Sequence, residues 1–171
     1  MAMGKGLWIW MMPDDKLKER IQRIINSLGK EFSTPLFVPH VTLAGSNDIG
    51  EKIMIKKTKD LSEQIKPFKI KLDGFDYSDN YFSSLFVLCE KTKDLTNANS
   101  LARKSFGIAT NDYMPHMSLI YTDELSEDQK KDIIKKLGKL KGEFEVKKLS
   151  LFATMGPVEK WYKIRDFSLH P

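Results

Sequence analysis

Short bursts of alternating apolar and polar residues run along this chain, with helical stripes between them. Leu7 to Met12 form an apolar run stopped by Pro13, which predicts a strand. Asp14 and Asp15 then open a segment with Leu17, Ile21, Ile24, Ile25 and Leu28 on one face, the spacing of an amphipathic helix. After the loop EFSTPLFVP, a strand is expected over about 41–44 and a helix over 51–65, ending before Pro67. Phe68, Ile70 and Leu72 alternate as a strand until Gly74 shifts the phase.

The second half runs through the same order. YFSSLFVLCE reads as a strand, and 94–106 as a helix with Leu95, Ala98, Leu101 and Ala102 on one face. The loop GIATNDYMP leads to a strand over 117–121. The helix LSEDQKKDIIKKLGKL follows, with a capping box from Ser126 to Gln129. EFEVKKLSLFAT is expected as one strand, and a closing strand over 161–169 follows the turn MGPVE.

Each half carries nearly the same phrase, FVPHVTLAG at 37–45 and YMPHMSLIY at 113–121. From His40 to Phe68 is 28 residues, and from His116 to Phe144 is also 28. Upstream, Trp8 precedes His40 by 32 residues and Leu85 precedes His116 by 31. A duplicated unit of strand, helix, His strand, helix and strand, over about 6–77 and 81–154, accounts for these matches. Two copies of one unit predict a single domain of two lobes, related by a pseudo-twofold, with equivalent strands facing each other across a cleft.

Residues two apart in a strand share a face, so His40 and Thr42 point one way while Val41 and Leu43 point the other. His116 and Ser118 repeat this against Met117 and Leu119. The proline before each histidine biases Val38 and Met114 towards extended backbone. A matched pair of imidazoles and a matched pair of hydroxyls suit phosphodiester cleavage without metal. One neutral imidazole takes a proton from water, and one imidazolium protonates the leaving alkoxide, each role worth roughly 10² to 10⁴-fold. A histidine pKa of about 6.5 lets both states coexist near neutrality. The hydroxyls would donate to phosphoryl oxygens as charge builds there. Neither phrase carries an Asp, Glu or Cys, so no metal and no cofactor is expected.

Composition narrows the setting. The chain has 171 residues, 41% of them hydrophobic, enough for one well-packed domain. No apolar run approaches the roughly 20 residues that span a bilayer, and the N-terminal segment lacks the marks of a signal peptide. The leading Met1-Ala2 before Met3 reads as an expression leftover. Cys89 is the only cysteine and is expected to pack as a small hydrophobe in a reduced, cytoplasmic setting. The net charge of +5 is spread over scattered lysines, which reads as a solvated surface with a mild field for a small anionic substrate. His170 lacks the motif context.

PHVTL and PHMSL match the HxT/S signature of the two-histidine phosphoesterase superfamily. LWIWMMPDD, FVPHVTLAGS, YFSSLFVL, YMPHMSLIY and a closing Trp-containing strand, in that order, most resemble the plant and fungal cyclic phosphodiesterases. The resemblance implies a bilobal α+β fold with two antiparallel sheets lining a groove. It implies opening of ADP-ribose 1″,2″-cyclic phosphate, a by-product of tRNA splicing, to the 1″-phosphate. Nucleoside 2′,3′-cyclic phosphates would go to 2′-phosphates. His40 and His116 become the catalytic pair, with His116 as base and His40 as acid, and Thr42 and Ser118 bind phosphate. Tyr121 would border the substrate, while Trp10, Tyr81 and Phe82 are candidates to stack on a base or frame the groove. The expected partner is a small cyclic-phosphate nucleotide, with RNA ends as a second candidate, and the chain is expected to be monomeric. Two alternatives stay open: an enzyme of the same superfamily acting on RNA ends or 2′,5′-linked oligonucleotides, and a non-catalytic nucleotide- or RNA-binding module.

Overall fold

A computed structural model describes residues 4–110 and 112–170. The Met1-Ala2 reading therefore lies outside the described residues. Eight strands and four α-helices follow one another as β1 (Leu7–Met11), α1 (Asp15–Phe32), β2 (Val41–Ser46), α2 (Glu51–Ser62), β3 (Phe68–Tyr77), β4 (Leu85–Cys89), α3 (Lys93–Phe106), β5 (His116–Ile120), α4 (Glu127–Leu137), β6 (Glu143–Val146), β7 (Lys148–Ala153) and β8 (Tyr162–Ser168). The strands form two antiparallel four-stranded sheets, ordered β2-β1-β7-β8 and β5-β4-β3-β6.

Local signals start most elements where the pattern placed them, although α2 stops at Ser62, short of the expected 65. Asp14 caps α1 by accepting from the Leu17 amide, and Thr92 caps α3 through the Leu95 amide. Ser126 and Gln129 form the reciprocal capping box of α4. Helix α1 buries Leu17, Ile21, Ile25 and Leu28, each worth roughly 1.5–3 kcal/mol on removal from water. In β3 the register moves from Leu72 opposite Cys89 to Phe75 opposite Val87, three steps against two. Gly74, at φ 81°, absorbs the extra residue, since a side chain is strained in that region.

Two expectations change. YFSSLFVLCE begins not as strand but as a 3-10 turn, Tyr81–Ser83, because the Asn80 side chain accepts from the Phe82 amide and starts a turn there. EFEVKKLSLFAT is not one strand: β6 pairs with β3 and β7 pairs with β1, so the segment passes between sheets at Lys147. The third strand of each repeat thus leaves its own lobe. β3 joins the sheet holding β4 and β5, and β7 joins the sheet holding β1 and β2.

The register of the β3–β6 ladder is compatible with a pseudo-twofold. His40 and His116 are 76 residues apart. Shifting the first repeat by 76 carries the pair Phe68–Val146 onto Phe144–Ile70, which is another pair of the same β3–β6 ladder. Lys69 opposite Glu145 maps onto itself, and a pseudo-twofold axis would pass there. The exchange of third strands locks the lobes together and leaves a groove between the two His strands.

Candidate active site

Each histidine strand lies against the first strand of its own repeat. Thr42 stands opposite Trp10 and Val41 opposite Met11, while Ser118 stands opposite Phe86 and Met117 opposite Val87. These pairings are also equivalent under the 76-residue shift. The pleat sends Val41, Leu43, Met117 and Leu119 into the core, where none is more than 1% exposed.

The two imidazoles are held in the same way. His40 Nδ1 lies 2.7 Å from the Val38 carbonyl oxygen, and His116 Nδ1 lies 2.8 Å from that of Met114. A carbonyl only accepts, so Nδ1 carries the proton in both rings and Nε2 is the free nitrogen. The proline between ring and carbonyl has a fixed φ, which stiffens this short return.

Their surroundings differ. His40 is 8% exposed, and the Trp10 ring stacks on it at 3.5 Å with 10° between planes. Burial lowers its pKa to about 4; the Val38 hydrogen bond opposes this and the nearby His116 charge assists it. His116 is half-buried, and its ring neighbour Phe86 sits at 4.9 Å, tilted by 57°. Burial lowers its pKa too, opposed by the bond to Met114. Coexistence of neutral and charged rings therefore belongs to the acid side of neutrality.

A groove of about 500 Å³ brings Thr42, His116 and Ser118 together between walls that include Trp8, Trp10, Phe82 and Trp161. Lys5 supplies an ammonium, and no carboxylate is among the described lining residues. A smaller hollow of about 350 Å³ shares Trp8, Thr42 and His116 and continues to Tyr113 and Met114. Thr42 and His116 stand where the two meet. His40 lies against Trp10 and is not itself among the lining residues. Ser118 Oγ donates to the Phe82 carbonyl at 2.7 Å, whereas the Thr42 hydroxyl makes no such bond among the described residues.

The candidate aromatics divide. Phe82 lines the groove; Trp10 does too, but at 3% exposure it frames rather than offers an open platform. Tyr121 is 3% exposed and stacked on Phe37 at 3.7 Å, outside the groove lining. Tyr81 packs edge-on against Phe82 and stays outside the lining as well. His170 is exposed beyond β8 and lines neither hollow. Cys89 is buried, its thiol pushed up to about 12 by desolvation, and packs as an inert hydrophobe.

Sequence reasoning did not single out Trp8, Trp161, Lys5 or Lys130. Trp8 had a signal, since it lies two residues before Trp10 on one strand and shares its face. Gly45 stands opposite it, and a Cβ there would meet the Trp8 ring at 2.3 Å. Trp161 arrives from the far end of the chain, its Nε1 donating to the Gly156 carbonyl at 3.1 Å. Lys130, 2% exposed on α4, donates to the Ser78 carbonyl at 2.7 Å and so pins the loop that carries Phe82.

The family model for cyclic phosphodiesterase-like proteins matches residues 3–169. The chain belongs to that family. As a cyclic phosphodiesterase-like protein it is an enzyme of the phosphoesterase class. It is 28% identical over 172 residues to a cyclic phosphodiesterase of Arabidopsis thaliana, covering 95% of this chain and 94% of that one. It is 24% identical over 136 residues to a 2′,3′-cyclic-nucleotide 3′-phosphodiesterase of Phaeosphaeria nodorum, covering 70% and 69% of the two chains. The fold is shared with E. coli LigT in its apo form, at a TM-score of 0.66, 12% identity, and coverage of 99% and 100%. A Thermus thermophilus protein, TT0787, matches equally well in fold, at 0.66 and 13% identity, covering 96% and 97%. Among the described residues no helix is long and apolar enough to cross a membrane.

Proposed function

We propose that this phosphoesterase hydrolyses cyclic phosphodiesters of small nucleotides without metal, using His40 and His116 as an acid–base pair. The observation that carries this reading is that both rings are held alike through Nδ1, which leaves each Nε2 without a hydrogen-bond partner among the described residues. Water attacks phosphorus and gives its proton to one Nε2. The bond from phosphorus to O3′ (or to O2″ of the ADP-ribose compound) breaks, and the other imidazolium protonates the departing oxygen. The products are a 2′-phosphate and ADP-ribose 1″-phosphate respectively. Thr42 and Ser118 donate to the phosphoryl oxygens as their charge grows.

The unequal burial of the rings favours His40 as acceptor and His116 as donor, the reverse of the order the resemblance implies. His40 is the more deeply buried ring, with its pKa lowered to about 4, so His40 neutral beside a protonated, more exposed His116 is favoured over the mirror image. The aromatic walls and the lysine without a facing carboxylate suit a nucleotide with its phosphate. E. coli LigT, which shares the fold, has been crystallised with 3′-AMP and with ATP, and this supports binding of a small nucleotide. Adenosine 2′,3′-cyclic phosphate incubated with the enzyme in excess EDTA should yield 2′-AMP, resolved from 3′-AMP by chromatography. Absence of turnover, or activity that returns only with a divalent ion, would sink the reading.

A further inference from the structure

The two His strands belong to different sheets, so something must set their separation. The residue three places ahead of each histidine is Phe37 in one repeat and Tyr113 in the other, equivalent under the 76-residue shift. Each reaches out of its own repeat. The Phe37 ring stacks on Tyr121, just past the second motif, at 3.7 Å and 11° between planes. Tyr113 Oη donates to the Thr42 carbonyl, inside the first motif, at 3.0 Å. Among the described residues, that bond is the hydrogen bond joining segment 37–46 to segment 113–121.

We infer that Phe37 and Tyr113 are positioning residues, a pair of reciprocal cross-braces that set the spacing of the two His strands. The inference rests on the proposed acid–base pair. Both braces sit beside the groups that hold the rings. Tyr113 adjoins Met114, whose carbonyl fixes His116, and Phe37 adjoins Val38, whose carbonyl fixes His40. Burial restrains the Tyr113 hydroxyl, whose pKa desolvation raises strongly, so its proton stays on the bond to Thr42 across the working pH range. The first brace is apolar and the second polar. The duplication has preserved the reach while the chemistry of the contact diverged.

Tyr113→Phe removes a single oxygen and keeps the ring. Loosening a brace between acid and base should lower kcat without weakening ground-state binding. We expect a kcat loss of about 10-fold on adenosine 2′,3′-cyclic phosphate, below the roughly 10²-fold that a misplacement of about 1 Å can cost. KM should stay near wild type, and the urea midpoint should fall by no more than about 0.5 M, the size of one lost hydrogen bond. Phe37→Leu should move kcat in the same direction, and Tyr113→Phe remains decisive should that buried change impair folding. Wild-type kcat in Tyr113→Phe, a rise in KM alone, or a kcat loss accompanied by a midpoint drop well beyond about 0.5 M would overturn the inference. His40→Ala and His116→Ala run alongside separate the two levels. Full activity in either overturns the acid–base pair itself, whereas inactive histidine variants beside an unaffected Tyr113→Phe overturn the braces alone.

Discussion

The burial of His40 has a thermodynamic consequence that can be measured without any substrate. Its folded pKa, about 4, lies below the ordinary value of 6.5, chiefly because the ring is desolvated against Trp10. The unfolded chain therefore binds the proton more readily than the folded one. The stability contributed is complete above pH 6.5 and drains away as the pH falls towards 4. A shift of this size corresponds to about 3 kcal/mol in all, at about 1.36 kcal/mol per unit. Between pH 7 and 5 the linkage relation gives a loss of about 2 kcal/mol. With a urea slope of about 2 kcal/mol/M, that is roughly 1 M in the midpoint. Carboxylates also titrate towards the acid end, so the comparison must be differential. Urea unfolding of wild type and His40→Gln, followed by tryptophan fluorescence at both pH values, isolates the contribution of the ring. The wild-type midpoint should fall by about 1 M more than that of the variant. Parallel losses in the two proteins would show that His40 keeps an ordinary pKa despite its burial, and would refute the assignment of unequal proton affinities.

Two further outcomes bear on mechanism. A phosphodiester with a p-nitrophenol leaving group needs no proton on the departing oxygen, so it should restore turnover to His116→Ala and not to His40→Ala; the opposite pattern would return the roles to the order implied by the resemblance. Thr42→Val should lower kcat by up to about 10²-fold with a smaller change in KM. Ser118→Ala should cost less, because that hydroxyl must first leave the Phe82 carbonyl; an effect on KM alone would make both ordinary binders.

Much of the site was legible because it depends on short-range rules. A period of two placed Ser118 beside His116 in the groove and put Val41, Leu43, Met117 and Leu119 in the core, whereas His40 lies under Trp10 outside the lining that Thr42 joins. The capping box at Ser126 and the bulge at Gly74 are likewise local chemistry. What could not be read is long-range. The division of EFEVKKLSLFAT between two sheets depends on β3 and β1 being present as partners. The Tyr121 ring stacks on Phe37, far back in the chain, and Trp161 reaches the groove from the turn before β8.

The unequal histidines sit between these cases. The phrases around them are nearly identical, so the motifs alone give no reason for one ring to lose its proton more easily. The asymmetry comes from the strand next door. Under the 76-residue shift Trp10 corresponds to Phe86, and both stand opposite the motif hydroxyl. The indole is large enough to lie flat on His40 at 3.5 Å, whereas the phenyl ring meets His116 tilted and at 4.9 Å. In the proposed acid–base pair, two equal imidazoles would leave either free to serve as acid or base, whereas unequal ones bias which ring holds the proton. Replacing one aromatic by another on the neighbouring strand breaks the equality without touching either motif. Trp10, lying flat on His40, adds to the burial that lowers the proton affinity of that ring, and Phe86 gives His116 no equivalent cover.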